Sequence, residues 1–446
     1  MRTSSRTRGR GRRTAITAVA GFVTCAALVT GCGGDSGGGS GGDGKIELRI
    51  GTFGSFGYDN KTGAGLYAEY EKLNPKIKIV ENNVSDGQKY WDTLKLRLSQ
   101  GSGLSDIQAI EVGYIAEATN PNMAGKFVDL SSAEGASTAE FLDWKIKQST
   151  TPDNKVVALG TDIGPMAICY RKDLFEEAGL PTDREEVGKL WEGDWAKFIE
   201  VGQDYKASAP AGTAFHDSAS GLFNAVISSS PEQYSNSRGQ LDWENSSGVE
   251  KGWDLAVEAA QDGLTAKLRQ FDEKGTWNAA FKNSKFATVV CPSWMTNIIK
   301  DQAGPDNQGK WDIAAPPVGA NWGGSFLSVP KAGKHTEEAA KLAAWLTAPE
   351  QQAKVFAKAG LMPSTTKAME SEEVTTAKMD YFGDTPVGQI YSEAAQKIEP
   401  APIGRYDGQV KTFITDNGIL DIEQRGTDPD QAWENVKKLI KDKIDQ

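Results

Sequence analysis

The chain has 446 residues and a net charge of −11, with 60 acidic against 49 basic side chains. That length accommodates two domains of ordinary size, and the acidic balance argues against nucleic acid or anionic lipid headgroups as partners. Only two histidines occur, His216 and His335, neither in a ligand or triad spacing, so no metal, cofactor or His-based catalysis is expected.

Residues 1–13 are dense in arginine, residues 14–30 are an apolar run, and Leu28-Val29-Thr30-Gly31-Cys32 follows. A basic segment, an apolar run too short to span a bilayer comfortably and a small residue before the cleavage point read as an export signal over residues 1–31. The Cys after Gly31 resembles a bacterial lipobox, which implies lipidation at Cys32; a plain secretory signal with a chance Cys is the alternative. Arg12-Arg13 leaves twin-arginine export open. Residues 33–44, GGDSGGGSGGDG, form with Cys32 a flexible tether with a reach of roughly 20 Å. Within it, matches to a nucleophile elbow (Gly38 to Gly42) and to a near P-loop (Gly39 to Lys45) lack a strand–turn–helix context and a final Ser or Thr, and reflect composition alone.

The exported part opens with a strand at Lys45–Ile50, then a Gly-rich turn holding Phe53, and a helix over Gly65–Leu73 that Asn74-Pro75 ends. A strand at Ile77–Val80, a helix at Gln88–Leu98 and an apolar strand at Asp106–Ile110 follow, the last leading into Glu111-Val112-Gly113-Tyr114. Strands alternating with helices imply a mainly parallel sheet with helices on its faces, and ligands in such sheets bind beyond the carboxyl ends of the strands. Phe53, Glu111 and Tyr114 fall there. The stretch Val156–Phe175, VVALGTDIGPMAICYRKDLF, is two apolar strands interrupted by Gly160-Thr161-Asp162-Ile163-Gly164-Pro165. Two glycines and a proline mark a bend that either carries the chain between domains, with Asp162 at the hinge, or merely kinks one strand.

Lys189–Tyr205 reads as one helix with Trp191, Trp195 and Phe198 on its core face. Asp217, beside small hydroxyl residues, is either part of a polar ligand wall or of a helix N-cap. Gly248–Ala260 and Leu342–Phe356 read as amphipathic helices, which places Trp253 and Trp345, like Trp433 near the C-terminus, in the core. Cys169 and Cys291 both fall in predicted strands, the second in Ala287–Cys291; export permits a disulfide between them, and two buried thiols are equally compatible.

The order of these motifs resembles the extracellular solute-binding proteins of carbohydrate ABC importers, family 1 type, over essentially the whole exported chain. The carriers are the lipobox and tether, Glu71-Lys72-Leu73-Asn74-Pro75-Lys76-Ile77-Lys78-Ile79, the bend before Tyr170-Arg171-Lys172-Asp173-Leu174-Phe175, residues 278–297 (NAAFKNSKFATVVCPSWMTN), residues 316–330 (PPVGANWGGSFLSVP) and the helix before Pro349-Glu350-Gln351-Gln352. Gly51-Thr52-Phe53-Gly54-Ser55-Phe56-Gly57-Tyr58 and Gly160-Thr161-Asp162-Ile163-Gly164-Pro165-Met166 look most like the actinobacterial cellobiose and cello-oligosaccharide binders.

The resemblance implies an α/β, two-lobed fold of the periplasmic-binding-protein type (type II), each lobe a mainly parallel sheet flanked by helices, joined by a multi-strand hinge. The expected division is residues 45–160 with 316–362, and 161–315 with 363–446. It implies sugar binding in the interlobe cleft and delivery to a membrane permease served by a separate ATPase, by a monomer lipid-anchored at the outer face of the cell membrane and without enzymatic turnover. Pyranose C–H faces stack on aromatic rings and buried hydroxyls need polar partners. The expected ligand contacts are therefore Phe53, Glu111, Tyr114 and Trp322 from the first lobe, Asp217, Trp277, Trp294 and Arg405 from the second, and Asp162 at the hinge; for Arg405 a surface ion pair is the alternative. An exported glycosidase using Glu111 and Asp162, or the same fold binding a non-sugar nutrient, are the rival readings.

Overall fold

The computed structural model describes residues 44–444. The export signal, Cys32 and all but the last residue of the tether lie outside the described residues. Among the described residues nine strands are present: β1 (Ile46–Phe53), β2 (Ile77–Val84), β3 (Ile107–Glu111), β4 (Ala158–Gly160), β5 (Ile168–Arg171), β6 (Ala214–His216), β7 (Phe286–Val290), β8 (Trp311–Ala314) and β9 (Ser325–Ser328). They form two sheets, ordered β2-β1-β3-β9-β4 and β6-β7-β5-β8, each flanked by helices in its own lobe.

Both sheets are mixed, where the sequence pattern suggested mainly parallel ones. β1 runs parallel to β2 and β3, and β6 parallel to β7. β9 is antiparallel to β3 and β4, and β5 is antiparallel to β7 and β8. The reversed strands are the ones by which the chain enters a lobe from the other: β5 follows β4, and β9 follows β8. A chain arriving from the partner lobe runs against the local strands.

The stretch 156–175 therefore does join two sheets. Its first apolar run supplies β4 and its second supplies β5, and the bend between them is the crossing. β5, β7 and β8 are buried along their whole length, which is why their sequences read as continuous apolar runs without alternation. The first lobe's core gathers Leu48, Ile50, Ile107, Leu159 and Leu327. The second lobe fills one face of its sheet with Tyr170, Phe198 and Phe215, and the other with Phe281, Phe286 and Trp311.

Two predicted helices are each two helices. Residues 189–205 divide between Arg184–Leu190 and Trp195–Ser208, because Gly193 sits at φ 85° and Asp194 caps the second helix by accepting from the Ala196 amide at 3.1 Å. Trp191, Trp195 and Phe198 are nevertheless fully buried, as the spacing requires. Residues 342–356 divide between Thr336–Leu346 and Pro349–Ala359, the proline opening the second helix at a position where its missing N–H costs nothing. Trp253 meets Trp433 at 4.6 Å and Trp345 meets Tyr70 at 5.1 Å, core packing in both cases. Cys169 on β5 and Cys291 just beyond β7 form a disulfide, with Cα atoms 5.3 Å apart, that ties two neighbouring strands of the second sheet.

Candidate functional site

The two crossing segments lie side by side. The Met166 amide donates to the Ala320 carbonyl at 2.9 Å, the Trp322 amide to Gly164 at 2.8 Å, and the Thr161 amide to Ser325 at 2.9 Å. The Gly164 amide in turn donates to Asn321 Oδ1 at 2.8 Å. A Cβ at Gly164 would fall 2.0 Å from the Trp322 carbonyl oxygen, so this contact admits only glycine. A third strand segment joins them where the Ile163 amide donates to the Met362 carbonyl at 2.8 Å. The result is a three-stranded floor between the lobes.

On this floor a cavity of about 100 Å³ opens, lined from both lobes. Asn321, Trp322 and Gly323 form its base. Glu111 to Gly113, at the carboxyl end of β3, and Trp144 and Gln148, on the helix Asp143–Gln148, form the first-lobe wall. Asn224, Ile227 and Ser228 of the helix Ala219–Ser228, with Gln233 and Tyr234, form the second-lobe wall, and the segment 398–411 closes one side.

Three lining residues carry buried side-chain atoms with no hydrogen-bond partner in the protein: Gln148 Oε1, Asn224 Oδ1 and the Tyr234 hydroxyl. Each such atom costs about 1–3 kcal/mol unless something pairs it, and all three belong to residues that line this one cavity, which suits a polar occupant. Two indoles, Trp144 and Trp322, are half-buried in the same wall and base. The charges are Glu111, Glu399 and Asp407 against Lys411, a balance that disfavours an anionic ligand. Glu111 caps the helix Val112–Ala118 by accepting from the Gly113 amide at 2.7 Å. Asp407 accepts from Ser235 Oγ at 2.5 Å and the Gly404 amide at 2.7 Å, yet burial pushes its carboxyl up to about 6. Among the described residues no group of three or more His, Cys, Asp or Glu could hold a metal ion, and no helix is long and apolar enough to cross a membrane.

Of the residues named from sequence, Glu111 and Trp322 line this cavity. Trp294 stands behind Trp322, its Nε1 donating to the Trp322 carbonyl at 3.1 Å. Asp162 is 4% exposed and accepts from Thr161 Oγ1 at 2.6 Å and the Ser325 amide at 2.9 Å; it fastens β4 to β9 rather than facing a ligand. The remaining five lie elsewhere. Phe53 packs on Phe56 and Tyr90 at 5.3 and 5.6 Å inside the first lobe. Tyr114 stacks on Trp91 at 5.1 Å, gives its hydroxyl proton to Gln88 Oε1 at 2.5 Å and meets Gly408 across the lobes. Asp217 and Trp277 meet in the second-lobe core, the indole Nε1 donating to Asp217 Oδ2 at 2.7 Å; the helix cap beside them is Ser218. Arg405 lies over Tyr406 at 5.1 Å and lines a separate surface groove with Lys95, Glu117 and Lys126.

Sequence reasoning did not single out Trp144, Gln148, Asn224, Tyr234 or Asp407. Asn224 carried a usable signal, a lone amide inside the apolar helix ASGLFNAVIS. Trp144 and Gln148 carried none, since a six-residue helix is too short to show periodicity.

No curated protein matches this chain. The family model for bacterial extracellular solute-binding proteins matches residues 65–380. A crystal structure of an extracellular solute-binding protein of family 1 is 40% identical, with 88% of this chain and 98% of that one covered and a TM-score of 0.74. Two more distant structures share the fold. The ABC transporter associated binding protein of B. animalis subsp. lactis Bl-04, in complex with β-1,6-galactobiose, is 21% identical with a TM-score of 0.74, covering 90% of this chain and 97% of that one. The galacto-N-biose-/lacto-N-biose I-binding protein of Bifidobacterium longum, in complex with lacto-N-biose, is 15% identical with a TM-score of 0.72, covering 90% and 98%. With its two mixed sheets, its three-stranded floor and a model match over most of its length, this chain belongs to the bacterial extracellular solute-binding proteins.

Proposed function

We propose that this chain is the sugar receptor of an ABC importer, binding a neutral oligosaccharide in the interlobe cavity. The observation that carries the reading is the joint presence in one cavity of three unpaired buried polar atoms, on Gln148, Asn224 and Tyr234, and two half-buried indoles, on Trp144 and Trp322. Sugar hydroxyls pair the former and pyranose C–H faces cover the latter. The sugar complexes of two proteins with this fold support it.

Cellobiose and cellotriose are the first candidate ligands, from the strings around Phe53 and Asp162. A sugar touching both walls binds the closed arrangement of the lobes better than the open one and shifts the population toward it. The lobes would be residues 45–160 with 316–362 and 161–315 with 363–446, turning about the floor. The closed monomer, held by lipid on Cys32 at the outer face of the membrane, would pass its cargo to a permease driven by a separate ATPase. The reading involves no turnover, and the burial of Asp162, engaged by Thr161 and the Ser325 amide, speaks for it over a glycosidase using Glu111 and Asp162.

The test is calorimetric titration of residues 45–446 with cellobiose, cellotriose, maltose, xylobiose and chitobiose, with tryptophan fluorescence followed alongside. One-to-one binding within one linkage series, a fluorescence change and no product is the expected result. Consumption of the sugar, or no binding by any of the panel, overturns it.

A further inference from the structure

Phe271 stands out among the aromatic residues. It is 48% exposed and adopts φ 58°, a left-handed conformation that bulky side chains rarely occupy. Both neighbours hold it there. Gln270 Nε2 donates to the buried carboxylate of Asp217 at 2.8 Å, and Asp272 accepts from the Thr276 and Trp277 amides at 3.1 and 2.8 Å, opening the helix Thr276–Lys282. Backbone strain held from both sides, at an exposed aromatic ring, is a feature that clusters at ligand-contact sites.

The ring ends a row of packed aromatic side chains that starts behind the site. It lies 4.7 Å from Trp277 and 6.1 Å from Trp294, and Trp294 lies 6.0 Å from Trp322 at the cavity base. Two residues on, Glu273 reaches Lys89 of the first lobe at 3.5 Å, so this loop faces the opposite lobe outside the cavity. Phe271 itself does not line the cavity.

We propose that Phe271 is an outer stacking platform for the units of an oligosaccharide that extend past the Trp322 cavity, so that it sets the chain length this protein prefers. The inference rests on the sugar-binding reading above. The inner units fill the cavity and satisfy its orphan polar atoms; the next unit emerges along the Trp294 edge and lays its C–H face on the exposed ring of Phe271. An aromatic face needs no hydroxyl pattern, which suits a position that must accept successive units of a growing chain.

The test titrates the full mature chain and the variants Phe271→Ala, Phe271→Gly and Phe271→Trp with a series of two to five units of whichever sugar linkage binds. Phe271→Ala and Phe271→Gly should match the parent on the shortest ligand and lose roughly 3- to 10-fold on the longest, while Phe271→Trp keeps the gain with length. Phe271→Gly should also melt above Phe271→Ala, because glycine relieves the left-handed strain. Equal affinity of Phe271→Ala and the parent at every length overturns the platform while leaving the sugar reading intact. Failure of the parent to bind any sugar overturns both.

Discussion

The indole Nε1 of Trp294 donates to the backbone carbonyl of Trp322 at 3.1 Å, and the two rings meet edge to face at 6.0 Å and 81°. One tryptophan thus fixes the loop that carries the other. Trp322→Ala removes a stacking face at the cavity base and should weaken sugar binding tenfold or more, about 1.4–3 kcal/mol. Trp294→Phe keeps an apolar ring behind the loop but drops the hydrogen bond, and should cost a few-fold in affinity, about 1 kcal/mol. Calorimetry on the two variants separates contact from support. A larger loss in Trp294→Phe than in Trp322→Ala would reverse the assigned roles.

Asn224 offers the converse experiment. Its Oδ1 is buried and unpaired in the free protein, so Asn224→Leu removes a standing penalty while keeping the side-chain volume. The empty protein should melt a few degrees higher and bind sugar tenfold or more weakly. A gain in both stability and affinity would show that Asn224 faces packing rather than ligand.

Lys145 lies under the floor with no side-chain exposure, no hydrogen-bond partner on Nζ and the ring of Phe326 at 3.7 Å. Burial, offset in part by the charges of Asp162 and Glu111, pushes its pKa down to about 8. Exchanging both buried charges for neutral side chains, Lys145→Met together with Asp162→Asn so that no carboxylate is left uncompensated, should stabilise the protein at pH 7 by about 1–3 kcal/mol in denaturant melts. A base whose pKa falls on folding carries its full penalty below pH 8 and sheds it between about 8 and 10.5. The advantage of the variant should therefore close over that window. A constant difference across it would mean that folding leaves the Lys145 pKa where it stands in the unfolded chain.

How far the site could be read before the fold was known differs from residue to residue. Trp322 was legible because it stands among small residues where neither a helix nor a strand face demands a large ring, and Glu111 because it ends an apolar strand. Asp217 and Trp277 carried the same outward signs, an acid among hydroxyls and a loop-side indole. They turn out to be each other's partners, and a sequence does not show which buried groups meet. The crossing at residues 160–165 was legible from two glycines and a proline. The sheets' mixed character was not, since strand direction depends on which lobe the chain arrives from, a property of the whole path rather than of any segment.

The pH dependence of stability should run opposite to that of many proteins between pH 7 and 5. Burial raises Glu423 to about 7 and Asp407 to about 6, each only partly offset by its hydrogen bonds. Glu423 Oε2 has no partner, which suits a carboxyl that keeps its proton. Groups raised on folding bind protons in the native state that the unfolded chain has released, so stability falls as pH rises through this window and increases on acidification. His216 and Asp217 offset one another. Thr288 Oγ1 donates to the Phe215 carbonyl at 2.7 Å and so accepts from His216 Nδ1, which turns the bare Nε2 toward Asp217 Oδ1 at 3.3 Å. Burial pushes the imidazole down to about 3 and the carboxyl up to about 6, so near pH 5 the pair holds one proton, about as many as it holds unfolded. Below pH 4 the partly exposed carboxylates lowered by local hydrogen bonds, Asp59, Asp194 and Asp272, reverse the trend as they protonate. Urea midpoints should accordingly rise from pH 7.5 to about 5 and fall below 4. Glu423→Gln and Asp407→Asn should each flatten the rising limb. A midpoint that declines steadily from pH 7 to 5 would place ionised rather than protonated carboxyls at both positions.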